Sequence, residues 1–223
     1  TTYDVTLTAQ VDSASAHGQV FSNQARVTAN GFAAPVLSDD SRTRVALDPT
    51  LVTVVAEPIF STSTLAVLDT NAGTVQPGDR LEYRLEVRNT GDGSGRHTRV
   101  KFPVPAQTTY VRESARLNDQ PIAGGDAPAF ATELEIQSAR LGTESGEVWV
   151  DDAVPPADEW ATLTFEVQVD LGAVTGMEIS AQAEILADDA EAAQSDNPST
   201  PSLLGDPTIG VVGGGPSLSI HKS

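Results

Sequence analysis

The feature that most constrains this chain is a phrase it carries twice. SDDSRTRVALDPT begins at Ser38, and a relative of it, SDNPSTPSLLGDPT, begins at Ser195. The likeness extends well beyond the phrase. Shifted by 158 residues, VTLTAQVD (Val5 to Asp12) falls on LTFEVQVD (Leu163 to Asp170) with its apolar alternation in phase. Gly18 then meets Gly176, and SNQARVTA (Ser22 to Ala29) meets SAQAEILA (Ser180 to Ala187). The phrase follows with a one-residue slip, and both copies re-register at Asp48-Pro49-Thr50 and Asp206-Pro207-Thr208. Beyond that, EPIFSTST from Glu57 lies over GPSLSIHK from Gly215. Self-similarity at one long period is the signature of an array of like domains. The expected organisation is therefore the closing half of one module in residues 1–56, a complete module in 57–213, and the first strand of a third in 214–223.

Within the complete module the pattern is that of strands. In LEYRLEV, Leu81, Tyr83, Leu85 and Val87 point one way, and Glu82, Arg84 and Glu86 the other. Leu163, Phe165, Val167 and Val169 repeat the alternation, and a period of two marks half-buried antiparallel strands. These eight apolar residues are predicted to share one core. RVKFPVP, TTYVRES, ELEIQSARL and GEVWVDD read as further strands, with Pro103 and Pro105 placing the first at an edge or a strand end. Between the strands lie turn clusters: QPGD, NTGDGSG (read as a hairpin turn), NDQP, AGGDAP and VPPAD. Short strands, regular turns and no helical period predict an all-β, two-sheet antiparallel sandwich.

Charge and composition limit the chemistry. Thirty-one Asp and Glu stand against 13 Lys and Arg, a formal charge of −18. Such a surface repels phosphate backbones and anionic lipid, so nucleic acid and membrane surfaces are not the expected partners. The chain has no cysteine, which excludes disulfides and thiol chemistry. No apolar run reaches transmembrane length, and the opening TTYDVTLTAQ lacks the regions of a signal peptide, so a mature or excised piece is expected. His17, His97 and His221 are far apart, no nucleophile elbow, zinc motif or phosphate loop occurs, and no enzymatic activity is expected.

At PGDRLEYRLEVRNTGDGSGRHTRVKFPVPAQTTYVRES the sequence resembles a family: the bacterial conserved-repeat surface domain, called domain of unknown function eleven. The residues carrying the likeness are Pro77-Gly78-Asp79, Tyr83, Asn89-Thr90-Gly91, Pro105 and Thr109-Tyr110-Val111. The SDNPST and DPT phrases and the final PSLSIHKS add to it, so the likeness spans essentially the whole chain. One departure is Thr64, where the family's first strand commonly carries a lysine, as at Lys222. The resemblance implies immunoglobulin-like sandwiches strung in tandem in exported proteins, acting as stalks or adhesive fibres at the bacterial surface. Its implied partners are neighbouring modules or identical subunits. Two alternatives stay open: a filament subunit completed by strand exchange, and a carbohydrate- or protein-binding module that recognises its ligand through loops.

Related sandwiches can lock themselves through a Lys–Asn or Lys–Asp isopeptide bond. The two lysines here are Lys101, expected to be solvated among alternating strand residues, and Lys222, whose partner strands are not in the sequence. The repeated acidic phrases are the better candidate for chemistry. Calcium takes about six to eight oxygen ligands, and Asp39, Asp40 and Asp48 in one copy, with Asp196, Asn197 and Asp206 in the other, cluster such oxygens. Asp69 or Asn71 could add more. The competing reading is structural, because Asp and Asn nucleate turns through their own side chains.

Overall fold

In the computed structural model, residues 5–11, 18–31, 33–123, 128–151 and 159–213 are described. The third-module strand expected at 214–223, with His221 and Lys222, lies outside them, as do His17, most of AGGDAP and the VPPAD turn. The chain divides into two compact units, Thr1–Ala56 and Glu57–Ser223. All described strand pairings of both are antiparallel, and the one helical element among the described residues is a single 3-10 turn, Ala129–Ala131.

The first unit holds β1 (Val20–Asn23), β2 (Arg26–Val27), β3 (Val36–Leu37) and β4 (Thr50–Thr53). β1 pairs with β4 from Val20 opposite Thr53 to Asn23 opposite Thr50, and β2 pairs with β3. Almost every described side chain here is exposed, including Phe21, Val27 and Val52. Residues 5–11, despite their alternation, form no strand.

The second unit begins with β5 (Thr64–Asp69), β6 (Arg80–Val87), β7 (Arg99–Lys101), β8 (Thr108–Tyr110), β9 (Arg116–Leu117) and β10 (Gln120–Pro121). It continues with β11 (Leu134–Glu135), β12 (Ala161–Val169), β13 (Glu178–Ala181), β14 (Glu184–Leu186), β15 (Ala193–Gln194) and β16 (Thr208–Val211). One sheet runs β10-β9-β12-β6-β5, with β8 also on β12; a second runs β11-β7-β14-β15; β13 and β16 form a further pair. The architecture fits an antiparallel β-sandwich.

β6 and β12 form its spine, registered residue for residue from Leu81 opposite Val167 to Val87 opposite Ala161. The eight predicted core side chains are all buried to 1% exposure or less. Each such burial is worth about 1.5–3 kcal/mol against an exposed side chain, which holds the alternation in phase, since a slip of one residue would turn the set to solvent. Val100 and Ile185 of the second sheet, with Phe102 just beyond β7, close the same core. An aromatic cluster fills its middle: Phe165 stacks on Tyr83 at 5.5 Å, and Phe130 lies 4.3 Å from Phe165. The Tyr83 hydroxyl has no partner among the described residues, and burial pushes its pKa up.

Two sequence expectations need correction. GEVWVDD is not a strand: Val148 and Val150 make only single bridges, to Gly95 and Asn89. NTGDGSG is not a hairpin turn, because β6 and β7 lie in different sheets. It is a sheet-to-sheet crossing fastened by a buried side chain. Asn89 Oδ1 accepts the Ile59 and Gly91 amides, both at 3.0 Å, while Nδ2 donates to the Gly93 and Val148 carbonyls. Every hydrogen-bonding position of that amide group is thereby used. A Cβ on Gly91 would stand 2.1 Å from the Glu57 carbonyl, so only glycine passes there.

Candidate functional site: one acidic turn built twice

Both acidic phrases fold into the same turn. In the second unit the Asn197 amide donates to Asp206 Oδ1 (3.3 Å), and the Thr200 hydroxyl donates to Asp206 Oδ2 (2.6 Å). In the first, the Asp40 amide donates to Asp48 Oδ1 (3.3 Å) and the Thr43 hydroxyl to Asp48 Oδ2 (2.7 Å). Asn197 Oδ1 accepts the Ser199 amide, and Asp40 Oδ1 accepts the Arg42 amide, each at 3.0 Å. This is the Asx turn, in which a short side chain bonds the backbone two residues on.

A second ring of bonds holds the turn to the neighbouring strand. Ser195 Oγ accepts the Ala183 amide and Ser38 Oγ accepts the Ala25 amide. Gln182 Nε2 bridges the Ser195 and Gly205 carbonyls; Gln24 Nε2 bridges those of Ser38 and Leu47. Even the strained position is kept, with φ of 73° at Gly205 and 59° at Leu47. Sequence reasoning singled out the carboxylates and passed over Gln24, Gln182, Ser38, Ser195, Thr43 and Thr200. Their recurrence at matching places in both copies was the signal available.

The electrostatics follow from these bonds. The Thr200 hydroxyl, with the Asn197 amide, lowers the Asp206 pKa. In the first copy the Arg42 side chain and amide bring Asp40 down to about 2, through a two-pronged pair at 2.9 and 2.8 Å. Asp196 is buried, with Oδ1 accepting the Gly205 amide, whereas its counterpart Asp39 is exposed.

Of the six candidate calcium ligands, then, Asp40, Asp48, Asp196, Asn197 and Asp206 spend oxygens on turn amides and hydroxyls. Among the described residues no group of three or more acidic, histidine or cysteine side chains is placed to hold a metal ion. Asp69 and Asn71 belong to the β5–β6 turn instead, where Asn71 donates to Asp79 Oδ1. Lys101 is half exposed and lies 3.9 Å from Glu184 across the β7–β14 pair. His97 lies 3.4 Å from Glu135, both well exposed.

A cleft of about 760 Å³ opens in the second unit beside Pro58, Ile59, Asp188, Asp189 and Leu204. Its carboxylates are partly engaged: Asp189 accepts the Arg96 amide and Asp188 the Arg99 guanidinium. Trp149 and Trp160 carry stacked arginines, Arg140 at 4.8 Å and Arg88 at 3.5 Å from the ring centres, so neither offers a bare ring face on that side.

The class that fold and turn define is a cysteine-free, acidic, antiparallel β protein with an internally repeated closing segment. Comparison with known proteins narrows this little. No family model matches the sequence, so the likeness to the conserved-repeat surface domain rests on the quoted residues alone. No curated protein matches it either. Among solved structures, the N-terminal domain of the Streptococcus gordonii adhesin Sgo0707 is similar at 11% identity and a TM-score of 0.37. The likeness covers 70% of this chain and only 33% of that one, and is too slight to bear on function.

Proposed function

We propose that the protein is a segment of a tandem array of immunoglobulin-like sandwich modules at a bacterial surface, with a mechanical or adhesive role. The observation that carries this reading is the acidic turn built twice, with the same serine, glutamine, threonine and aspartate bonds in both copies, at a spacing of one module. Recurrence of that kind is how arrays of like units are built. The charge of −18 favours a solvated, self-repelling rod over a partner of nucleic acid or anionic lipid. Function in such an array is geometric: each module adds a fixed increment of length, and the closing turn fastens the end of a module back to its own first strand, as Asp196 bonds Ser63 and Leu65.

Antibodies raised against the 223-residue chain test the location. They are expected to label intact cells of the source organism. Labelling only after permeabilisation would overturn the surface role while leaving the module architecture standing.

A further inference from the structure

We propose that the open face of residues 5–56 is an acceptor surface for one kind of partner, a neighbouring half-module with the sequence pattern of residues 57–158. The inference deepens the array reading but rests on burial and pairing within the chain, so it stands or falls separately from the cellular location.

The second unit shows what such a face is made to receive. There β14 lies between β7 and β15, with Ile185 opposite Val100 on one side and Ala193 on the other. β2, its counterpart, is paired among the described residues with β3 alone. The Asp196 amide donates to the Ser63 carbonyl and its carbonyl accepts the Leu65 amide, which ties the acidic turn to the start of β5. Within the first unit no described strand takes that place beside Asp39. The side chains agree: Ile179 and Ile185 are fully buried, whereas their counterparts Phe21 and Val27 are 38% and 61% exposed.

An occupant must therefore supply three things together. It must bring a strand antiparallel to the free edge of β2, with an apolar residue where Val100 stands. It must bring a second strand whose amide and carbonyl meet Asp39, as Leu65 and Ser63 meet Asp196. It must also bring apolar cover for Phe21, Val27 and residues 5–11, which pair with no described strand and whose counterparts in β12 are clasped by β6, β8 and β9. A small ligand cannot pair with strand edges, and a partner offering one free edge alone would leave the apolar face uncovered. Residues 57–158 carry all three features in one stretch.

The test places a second copy of residues 57–158 ahead of Thr1 by gene fusion, which restores the module spacing. The fusion is expected to gain a second cooperative unfolding transition, and β1 and β4 amides to exchange at least about 100-fold more slowly than in the 223-residue chain. Phe21→Asp with Val27→Asp in the fusion should abolish both gains and leave the transition of 57–213 in place. One transition with unchanged β1 exchange would overturn the proposal. So would concentration-dependent dimerisation of the unfused chain with slowed β1 exchange, which would make a second copy the occupant. Should the fusion not fold, a peptide of residues 96–105 added to the intact chain gives the second readout. Slower exchange at Arg26 and Val27, and not at Ile185, supports the acceptor edge; no change there counts against it.

Discussion

Residues 18–54 and 176–212 make the same turns in opposite surroundings. β1 pairs with β4 in the register that β13 keeps with β16, and the Gly18 amide reaches the Val54 carbonyl as Gly176 reaches Val212. Yet Ile185 is sealed in a core and Val27 stands in solvent. The strand preceding each segment differs more. Leu163 to Val169 lies inside β12, while Val5 to Val11, with the same alternation, forms no strand. Side-chain-to-backbone bonds between near neighbours thus shape the turn without help from a core. A long central strand takes shape only where other strands take up its amides and cover its apolar face.

If cover is the difference, paired substitutions at matching positions should separate the two segments. The largest gap is expected at Phe165, whose replacement by alanine should cost about 3–5 kcal/mol in the denaturant unfolding of 57–213. Leu7→Ala, its counterpart, should stay within about 0.5 kcal/mol. Equal costs would mean that residues 5–11 are packed after all.

A smaller gap is expected at the serines. Ser195→Ala strands the buried Ala183 amide, which should cost about 1–3 kcal/mol. Ser38→Ala frees an amide that water can reach, and should change stability by less than about 0.5 kcal/mol.

Acid distinguishes the turns again. Asp40 titrates at about 2, below the usual value near 3.9, so its contribution is complete above about pH 4 and disappears as pH falls toward 2. Asn197, in the same place, carries no titratable proton. Chemical shifts followed from pH 5 to 2 should therefore show the Arg42 amide losing its Asp40 partner at about pH 2. A midpoint near 4 would mean the Asp40–Arg42 pair does not hold in solution.

The smallest effect is expected from calcium. An ion bound only by the folded protein raises the melting temperature. With Asp40, Asp48, Asp196 and Asp206 each accepting bonds from turn amides or hydroxyls, melting with calcium and with chelator should coincide, and a rise with calcium would reinstate the ion at these turns.

The parts of the fold legible in the sequence are those where local pattern and final environment agree. The alternation in β6 and β12 names the buried residues because those strands face a core on one side and solvent on the other. The repeat locates both turns because Gln, Ser, Thr and Asp recur in the same order, with offsets that differ by no more than one residue between the copies. What could not be read was decided by distant neighbours. NTGDGSG has the composition of a hairpin, and its role as a crossing depends on where Ile59 and Val148 lie. GEVWVDD has strand residues but meets only single bridging partners at Gly95 and Asn89. In sequence the acidic phrases suit a turn first and a cation second, and only the positions of the Asp48 and Asp206 oxygens show them bonded to Thr43 and Thr200.

Amide hydrogen exchange on the intact 223-residue chain tests the central claim most directly, because it reads both copies of one hydrogen-bond pattern in the same molecule. Strands β13 and β16 are expected to exchange only through global unfolding of their unit, while β1 and β4, bonded in the same register but uncovered, exchange through local opening orders of magnitude faster. Equal protection of the two strand pairs would contradict the account.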